Sequence, residues 1–172
     1  MTSGTPSTTG LWGGGFRREV SCFAAEGMGV VAMSTQGRGA YVEFDFFRIW
    51  EAMKASPRMP KMAWMYHTHP SGCPRMSGVD ANAVNGWVTA LGMPIEMVIV
   101  SDAGVMSYLC LKGNIIVEQG LRNGNPSEEF LMAAMCGLSW KFEDPSQDDL
   151  DRVSLSLGSI VPIKTWDCEA EV

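Results

Sequence analysis

The stretch KMAWMYHTHPSGCPRMSGVD, residues 61–80, contains a predicted strand, a loop and the beginning of a helix. Residues 61–66 have the composition of a buried strand. Pro70 ends that strand, and a loop rich in proline and glycine follows over residues 70–76. Ser77 begins a helix whose apolar residues recur at helical spacing. A buried strand that leads through a loop into a helix predicts a domain of the α/β class.

The segments on both sides of this stretch support a mixed α/β domain. Predicted strands lie at residues 27–33, 40–44, 61–66, 95–100, 105–111, 115–117 and 160–163. Predicted helices lie at residues 17–25, 46–55, 77–91, 130–136 and 148–157. The first two strands are joined by a turn at STQGRG, residues 34–39, and form a predicted hairpin. The mixture of hairpins with strands separated by helices predicts a mixed sheet in two or three layers.

Length and composition agree with a single core. The chain has 172 residues, of which 46% are hydrophobic and 19% charged, so it can bury a sizeable core. Residues 1–15 are mainly Thr, Ser and Gly and predict a flexible N-terminal arm. Residues 16–120 hold the predicted α/β domain. Residues 121–172 form a C-terminal extension that we expect to pack on the same domain.

Charge and cysteine content restrict the partners and the compartment. The net charge is −6 and the 13 basic residues are scattered, whereas binding to nucleic acid needs clustered Lys and Arg. The five cysteines are odd in number and include no C-x-x-C pair, which favours reduced thiols over a disulfide framework. No signal-peptide pattern and no apolar run of membrane-spanning length occurs. The sequence therefore predicts a cytoplasmic protein that binds neither nucleic acid nor membrane.

The two histidines of the chain, His67 and His69, lie at the end of the predicted strand. Positions i and i+2 of a strand point to the same face, so both imidazoles can converge on one point. Asp80 lies eleven residues further on, in the first turn of the next helix. Two imidazoles and one carboxylate form a three-ligand site for Zn²⁺, with the fourth position left for water. The same donors also suit Fe²⁺ or Mn²⁺.

Ser77 and Asp80 also have an explanation that involves no metal. Ser77 is a typical helix N-cap and Asp80 an acid at the third helical position, an arrangement that stabilises a helix by about 1 kcal/mol. That alternative does not explain why the only two histidines form an H-x-H pair at a strand end, just before Pro70. An H-x-H pair alone would be weak evidence for a metal site, so the longer string carries the prediction.

That longer string is H-T-H-P followed, after six residues, by S-x-x-D. It resembles the JAMM motif of the MPN+ metalloproteases, H-x-H-P-x6-S-x-x-D, at every fixed position. The stretch HTHPSGCPRMSGVD is also similar to the RadC branch, with Met76 where RadC-like sequences usually have proline. The similarity covers residues 20–117. It implies an MPN-type, cytidine-deaminase-like catalytic domain, with a mixed curved sheet flanked by helices and a zinc ion held by His67, His69 and Asp80.

The resemblance also implies a glutamate upstream of the motif. Glu26, in AAEGMGVVAM, is similar to the E-x-x-G-hydrophobic pattern of the family, and Glu43 and Glu51 are alternatives. Glu26 would take a proton from the water that zinc activates and pass it to the leaving amine. Ser77 would hydrogen-bond the developing oxyanion or hold Asp80 in place.

The implied function is a zinc-dependent hydrolase of peptide or isopeptide bonds, either a metallopeptidase or a deconjugase of ubiquitin-like or tail-type substrates. Its partner would be a protein or peptide with an extended tail. The alternative is a metal-containing structural or assembly module with little or no activity, for example part of a phage tail, and the protein would then be virion-associated. Cys73, in the loop before Ser77, is an inhibitory ligand, a redox-sensitive thiol or a loop residue without a role.

Overall fold

The computed structural model describes residues 18–36, 44–69, 73–121, 126–139 and 146–156, in which six strands form one sheet flanked by four helices. The strands are β1 (Glu19–Ala25), β2 (Gly29–Gln36), β3 (Ala63–Thr68), β4 (Ile95–Ser101), β5 (Gly104–Leu111) and β6 (Ile115–Leu121). The helices are α1 (Phe46–Ala55), α2 (Gly78–Leu91), α3 (Pro126–Ser139) and α4 (Gln147–Ser156). None of these helices is both long and apolar enough to cross a membrane.

The sheet is mixed and has the strand order β2-β1-β3-β4-β5-β6. Strands β3 and β4 are parallel, and all other neighbours are antiparallel. Helix α2 connects the parallel pair, because parallel neighbours need a crossover connection. Strand β3 therefore lies inside the sheet, and the chain leaves its end towards α2. The predicted mixed α/β class is confirmed.

The N-terminal part of the sheet differs from the prediction. Within the segment predicted as a helix over residues 17–25, Glu19–Ala25 form β1, which pairs with β2 around a turn that begins at Glu26. Every residue of β1 is buried, so the alternation of polar and apolar residues that marks a half-exposed strand is missing. Gly27 has φ +75°, a left-handed conformation that glycine adopts without steric cost. Residues 40–43 of the predicted second strand lie outside the described residues, as does the predicted strand at 160–163.

The two faces of the sheet carry separate apolar clusters. One lies under α1 and α2 and includes Phe23, Ile49, Met65, Val84 and Ile99. The other lies under α3 and α4 and includes Val20, Trp64, Tyr66, Leu131 and Leu150. Successive side chains of β3 alternate between these faces, as the pleat requires. This alternation directs His67 towards α2 and its neighbours Tyr66 and Thr68 towards α3.

The capping residues at its two ends determine where helix α2 begins and ends. Ser77 is its N-cap, and Gly92 ends it in the left-handed conformation, with φ 70°. Its buried positions, Val84, Val88 and Leu91, recur at helical spacing and pack on the sheet beside β3 and β4. The first turn of α2 is therefore held beside the end of β3.

Candidate metal centre

Three potential metal-binding atoms meet where β3 ends and α2 begins. The Nε2 atoms of His67 and His69 are 2.9 Å apart. Asp80 Oδ2 lies 3.0 Å from the Nε2 of His69 and 3.4 Å from that of His67. All three residues are buried, and among the described residues they form a cluster that could hold a metal ion. The structure thus brings together the three residues predicted as metal ligands.

The spacing of these atoms fits one metal ion. Tetrahedral bonds of about 2.0–2.2 Å from zinc to nitrogen or oxygen place neighbouring ligand atoms about 3.3 Å apart. The observed separations of 2.9, 3.0 and 3.4 Å are close to that value. Lone pairs of two neutral imidazoles and a carboxylate repel one another at this distance unless a cation or a proton lies among them. The donor set therefore fits a divalent cation, and its chemistry suits Fe²⁺ or Mn²⁺ as well as Zn²⁺.

Strand β3 and the loop after it orient the imidazoles. The backbone N–H of His69 donates to the carbonyl of Val100 at 2.8 Å and so extends the pairing of β3 with β4 by one residue. The Nδ1 atom of His69 is 2.7 Å from the carbonyl oxygen of Cys73. Because a carbonyl oxygen can only accept, Nδ1 carries a proton, and the Nε2 atom of the neutral ring presents its lone pair to the cluster.

The first turn of α2 orients the carboxylate. The Oγ atom of Ser77 accepts from the backbone N–H of Asp80 at 3.1 Å, and the backbone N–H of Ser77 donates to Asp80 Oδ2 at 3.0 Å. These two bonds form a complete capping box. The oxygen that closes the capping box is the one that faces the histidines, so the capping and the ligand interpretations describe one arrangement. Ser77 holds Asp80 in place, while its role at an oxyanion stays a prediction.

The structure does not bring Glu26 to this cluster, and the prediction for it needs correction. Ser21 of β1 is paired with His67, and Ala25 with Ala63 at the opposite end of β3. Glu26 follows Ala25, and its side chain accepts from the backbone N–H of Lys61 at 3.0 Å. The four residues that separate His67 from Ala63 span roughly 13 Å of strand. The E-x-x-G similarity therefore marks the turn between β1 and β2.

Glu19, which no sequence pattern singled out, lies at the end of β1 that is nearer to His67. It is two residues from Ser21, the partner of His67, and shares its face of the sheet because strand side chains alternate. Of the two alternatives to Glu26, Glu51 is exposed on α1 and pairs with a lysine of the same helix, and Glu43 lies outside the described residues. The signal that could have identified Glu19 is an acid within a buried strand, and the helix predicted over residues 17–25 concealed it.

The pKa of Glu19 responds to the charges of Asp80 and His69, which agrees with the position of Glu19 near the cluster. Burial raises the pKa of Glu19, the charge of Asp80 raises it further, and the pKa reaches about 7 although His69 lowers it. Burial opposes ionisation of Asp80, but hydrogen bonds from His67 and His69 outweigh it and lower the pKa of that carboxyl. Burial lowers the pKa of His67. For His69, burial is outweighed by bonds to Asp80 and to the Cys73 carbonyl, which raise its pKa.

The two residues between and after the histidines have structural contacts. Thr68 points away from the cluster, and its Oγ1 accepts from the backbone N–H of Val20 at 2.9 Å. The thiol of Cys73 is exposed and does not belong to the cluster. The observed contact of Cys73 with the site is made by its backbone carbonyl.

Comparisons of the chain with protein-family models, with curated proteins and with solved structures found no match.

Proposed function

We propose that this chain is a metal-dependent hydrolase of peptide or isopeptide bonds, a JAMM-type metallopeptidase built on an MPN-type domain. His67, His69 and Asp80 would hold the metal, and zinc is the ion we expect. The observation that carries the proposal is the convergence of three buried potential ligand atoms within 3.4 Å of one another. When both rings are neutral with their Nε2 lone pairs turned inward, a cation offsets the repulsion among the three atoms.

The residues around the cluster have separate tasks in this proposal. A bound zinc ion supplies a Lewis acid for a carbonyl and for water. The carbonyl of Cys73 fixes the tautomer of His69, and Ser77 fixes the carboxylate of Asp80. Such outer contacts set the orientation of metal ligands and commonly change metal affinity by about 10–100-fold.

Glu19 is the residue that we propose as the proton acceptor, in place of Glu26. It lies on the face of β1 that carries the partner of His67, and it is 7% exposed. A carboxylate there can take a proton from water and return it to the leaving amine without being a metal ligand. The substrate class, a protein or peptide with an extended tail, rests on the resemblance of the HTHP and SGVD residues to the JAMM motif.

The experiment compares Glu19→Gln with Glu26→Gln in the purified full chain. Metal content is measured by elemental analysis. Cleavage is measured on linear peptides and on peptides branched through a lysine ε-amide, with and without a chelator. We expect both variants to keep their metal, Glu19→Gln to lose about 10²–10⁴-fold in kcat, and Glu26→Gln to keep wild-type activity.

The opposite pattern would restore Glu26 and reject Glu19. Loss of metal from Glu19→Gln would make Glu19 a ligand and require a different mechanism. A wild-type chain that holds its metal but cleaves none of the peptides would support the alternative function, a structural or assembly module that contains a metal. A wild-type chain that binds no divalent metal would reject both functions.

A further inference from the structure

The segment that joins the metal-site loop to α2 is held by a side chain of a distant strand. The backbone N–H of Met76 donates to the Oη atom of Tyr108 at 3.0 Å. Tyr108 belongs to β5, which is separated from β3 by β4. Met76 directly precedes Ser77, the N-cap that holds Asp80. A contact with β5 therefore lies one residue away from the capping box of the metal site.

The tyrosine is itself well oriented. Tyr108 is 5% exposed, and its ring belongs to the apolar cluster under α1 and α2. Its hydroxyl lies 3.9 Å from the sulfur of Met106 and donates its hydrogen in that direction. A lone pair of the oxygen is thus left for the N–H of Met76. A donor and an acceptor that are both partly desolvated make a stronger contact than an exposed pair.

A second contact, between the loop that precedes α2 and strand β6, is weak. Arg75 and Glu118 of β6 are 3.6 Å apart, but their side chains are 70% and 48% exposed. Ion pairs with that exposure contribute little, because water and salt screen them. The partly buried hydrogen bond, rather than the ion pair, is therefore the contact that can fix the beginning of α2.

We propose that Tyr108 is a positioning residue for the metal site, acting through the Met76 N–H to hold Ser77 and the carboxylate of Asp80 at the distance that the two histidines require. The inference rests on the proposed metal centre. Proline has no N–H to donate, so a proline at position 76 would remove this contact.

The test is a double-mutant cycle with Co²⁺ as the probe. Affinity is measured by competition with a chelator, and the visible absorption of bound Co²⁺ reports the ligand geometry. We expect Tyr108→Phe to weaken Co²⁺ binding about three- to tenfold, less than a direct outer-shell partner of a ligand, and to shift the absorption bands. Arg75→Gln, on the same loop, is the matched control and should bind Co²⁺ as the wild type does.

Met76→Pro removes the N–H while leaving Tyr108 in place. If the effect passes through that N–H, Tyr108→Phe adds nothing in the Met76→Pro background. An equal additional loss in that background would overturn the inference, as would unchanged Co²⁺ affinity and absorption in Tyr108→Phe. Thermal melting of the metal-free variants separates a general loss of stability from a local effect, since only a local effect changes the spectrum at an unchanged Tm.

Amide hydrogen exchange distinguishes failure of the inference from failure of the metal centre. In metal-free protein, the Met76 amide should exchange faster in Tyr108→Phe than in the wild type, by a factor on the order of five to ten for a lost hydrogen bond. A wild-type chain that binds no Co²⁺ but shows this difference would overturn the metal centre and the positioning role while leaving the hydrogen bond in place. Equal exchange in both would overturn the hydrogen bond itself.

Discussion

Both faces of the sheet bury polar side chains along β3, but the two sets of groups are arranged differently. On the α3 face, Tyr66 Oη donates to Glu128 at 2.5 Å, and Trp64 Nε1 donates to Glu96 at 2.9 Å. Each of these carboxylates receives a hydrogen from a hydroxyl or an indole. On the α2 face, the Nε2 atoms of two histidines and a carboxylate oxygen point at one another.

This difference shows that burial of polar groups is not by itself the mark of a site. Glu96 and Glu128 are fully buried, yet donors from the protein satisfy them and stabilise the fold. On the α2 face, Asp80 Oδ2 receives the backbone N–H of Ser77, but the Nε2 atoms of both histidines also face it, and a single cation would satisfy all three atoms. We therefore expect substitutions on the α2 face to change metal binding, and those on the α3 face to change stability.

The largest expected effect is on metal affinity, from His67→Ala or His69→Ala. Each removes one of the three proposed ligands, so the affinity for Zn²⁺ should fall by more than about 100-fold, beyond the range of outer-shell changes. Thr68→Val is the matched control, because Thr68 lies between the histidines and points to the other face. It should keep its metal. Retention of metal by both alanine variants, measured by competition with a chelator, would refute the assignment.

The next effect is on stability, from Tyr66→Phe on the opposite face. The variant leaves the buried carboxylate of Glu128 with one donor fewer, which should lower the free energy of unfolding by about 1–3 kcal/mol. Zn²⁺ affinity should stay at the wild-type level, because Tyr66 and His67 point to different faces. Urea unfolding and the chelator competition test the two halves of this prediction. A loss of Zn²⁺ affinity comparable to the loss from His67→Ala would show that the two faces are not independent.

A smaller effect is expected from Ser77→Ala, which changes both quantities. Loss of the N-cap oxygen should cost about 1 kcal/mol of stability. Because Asp80 loses part of its capping box, Zn²⁺ affinity should also fall, by about tenfold. Ser77→Asp, which retains a capping oxygen, should recover the stability. If Ser77→Ala loses stability but binds Zn²⁺ with unchanged affinity, then Ser77 caps the helix and does not orient the metal ligand.

The smallest effect is expected from Cys73→Ser. His69 contacts the backbone carbonyl of Cys73, and the exposed thiol lies outside the cluster. Zn²⁺ affinity and its sensitivity to mild oxidants should therefore equal those of the wild type. A tenfold change in affinity, or protection of the variant from an oxidant that strips metal from the wild type, would support the inhibitory-ligand or redox interpretation of this cysteine.

Local patterns were sufficient for much of the fold. The helical spacing of Ile49 and Met53 predicted α1 with its observed bounds, and both side chains are buried. The two apolar segments at residues 95–100 and 105–111, joined by the short turn at 101–104, predicted a hairpin. The antiparallel register of β4 and β5 confirms it. These elements were predictable because their signal lies within one stretch of chain: a periodic apolar face, or two strands joined by a short turn.

Strand β1 was not predictable in the same way. Its residues, EVSCFAA, are buried on both faces of a central strand, so neither a period of two nor a clear apolar run distinguishes it from a helix. Pairing with β2 and β3 supplies the hydrogen bonds that make it a strand. The same uncertainty concealed Glu19, because the face on which its side chain lies depends on that pairing.

The sequence by itself determined the three converging candidate ligands, since His67 and His69 need only the alternation of a strand, and Asp80 only the first turn of a capped helix. Only the tertiary structure distinguished Glu19, the proton acceptor that we propose, from Glu26. Glu19 is the first residue of β1 and Glu26 follows its last, and the register of β1 against β3 places Glu19 near the histidines and Glu26 at the far end. Register between strands that are distant in the chain is a property of the assembled sheet, so no local pattern around either glutamate could reveal it.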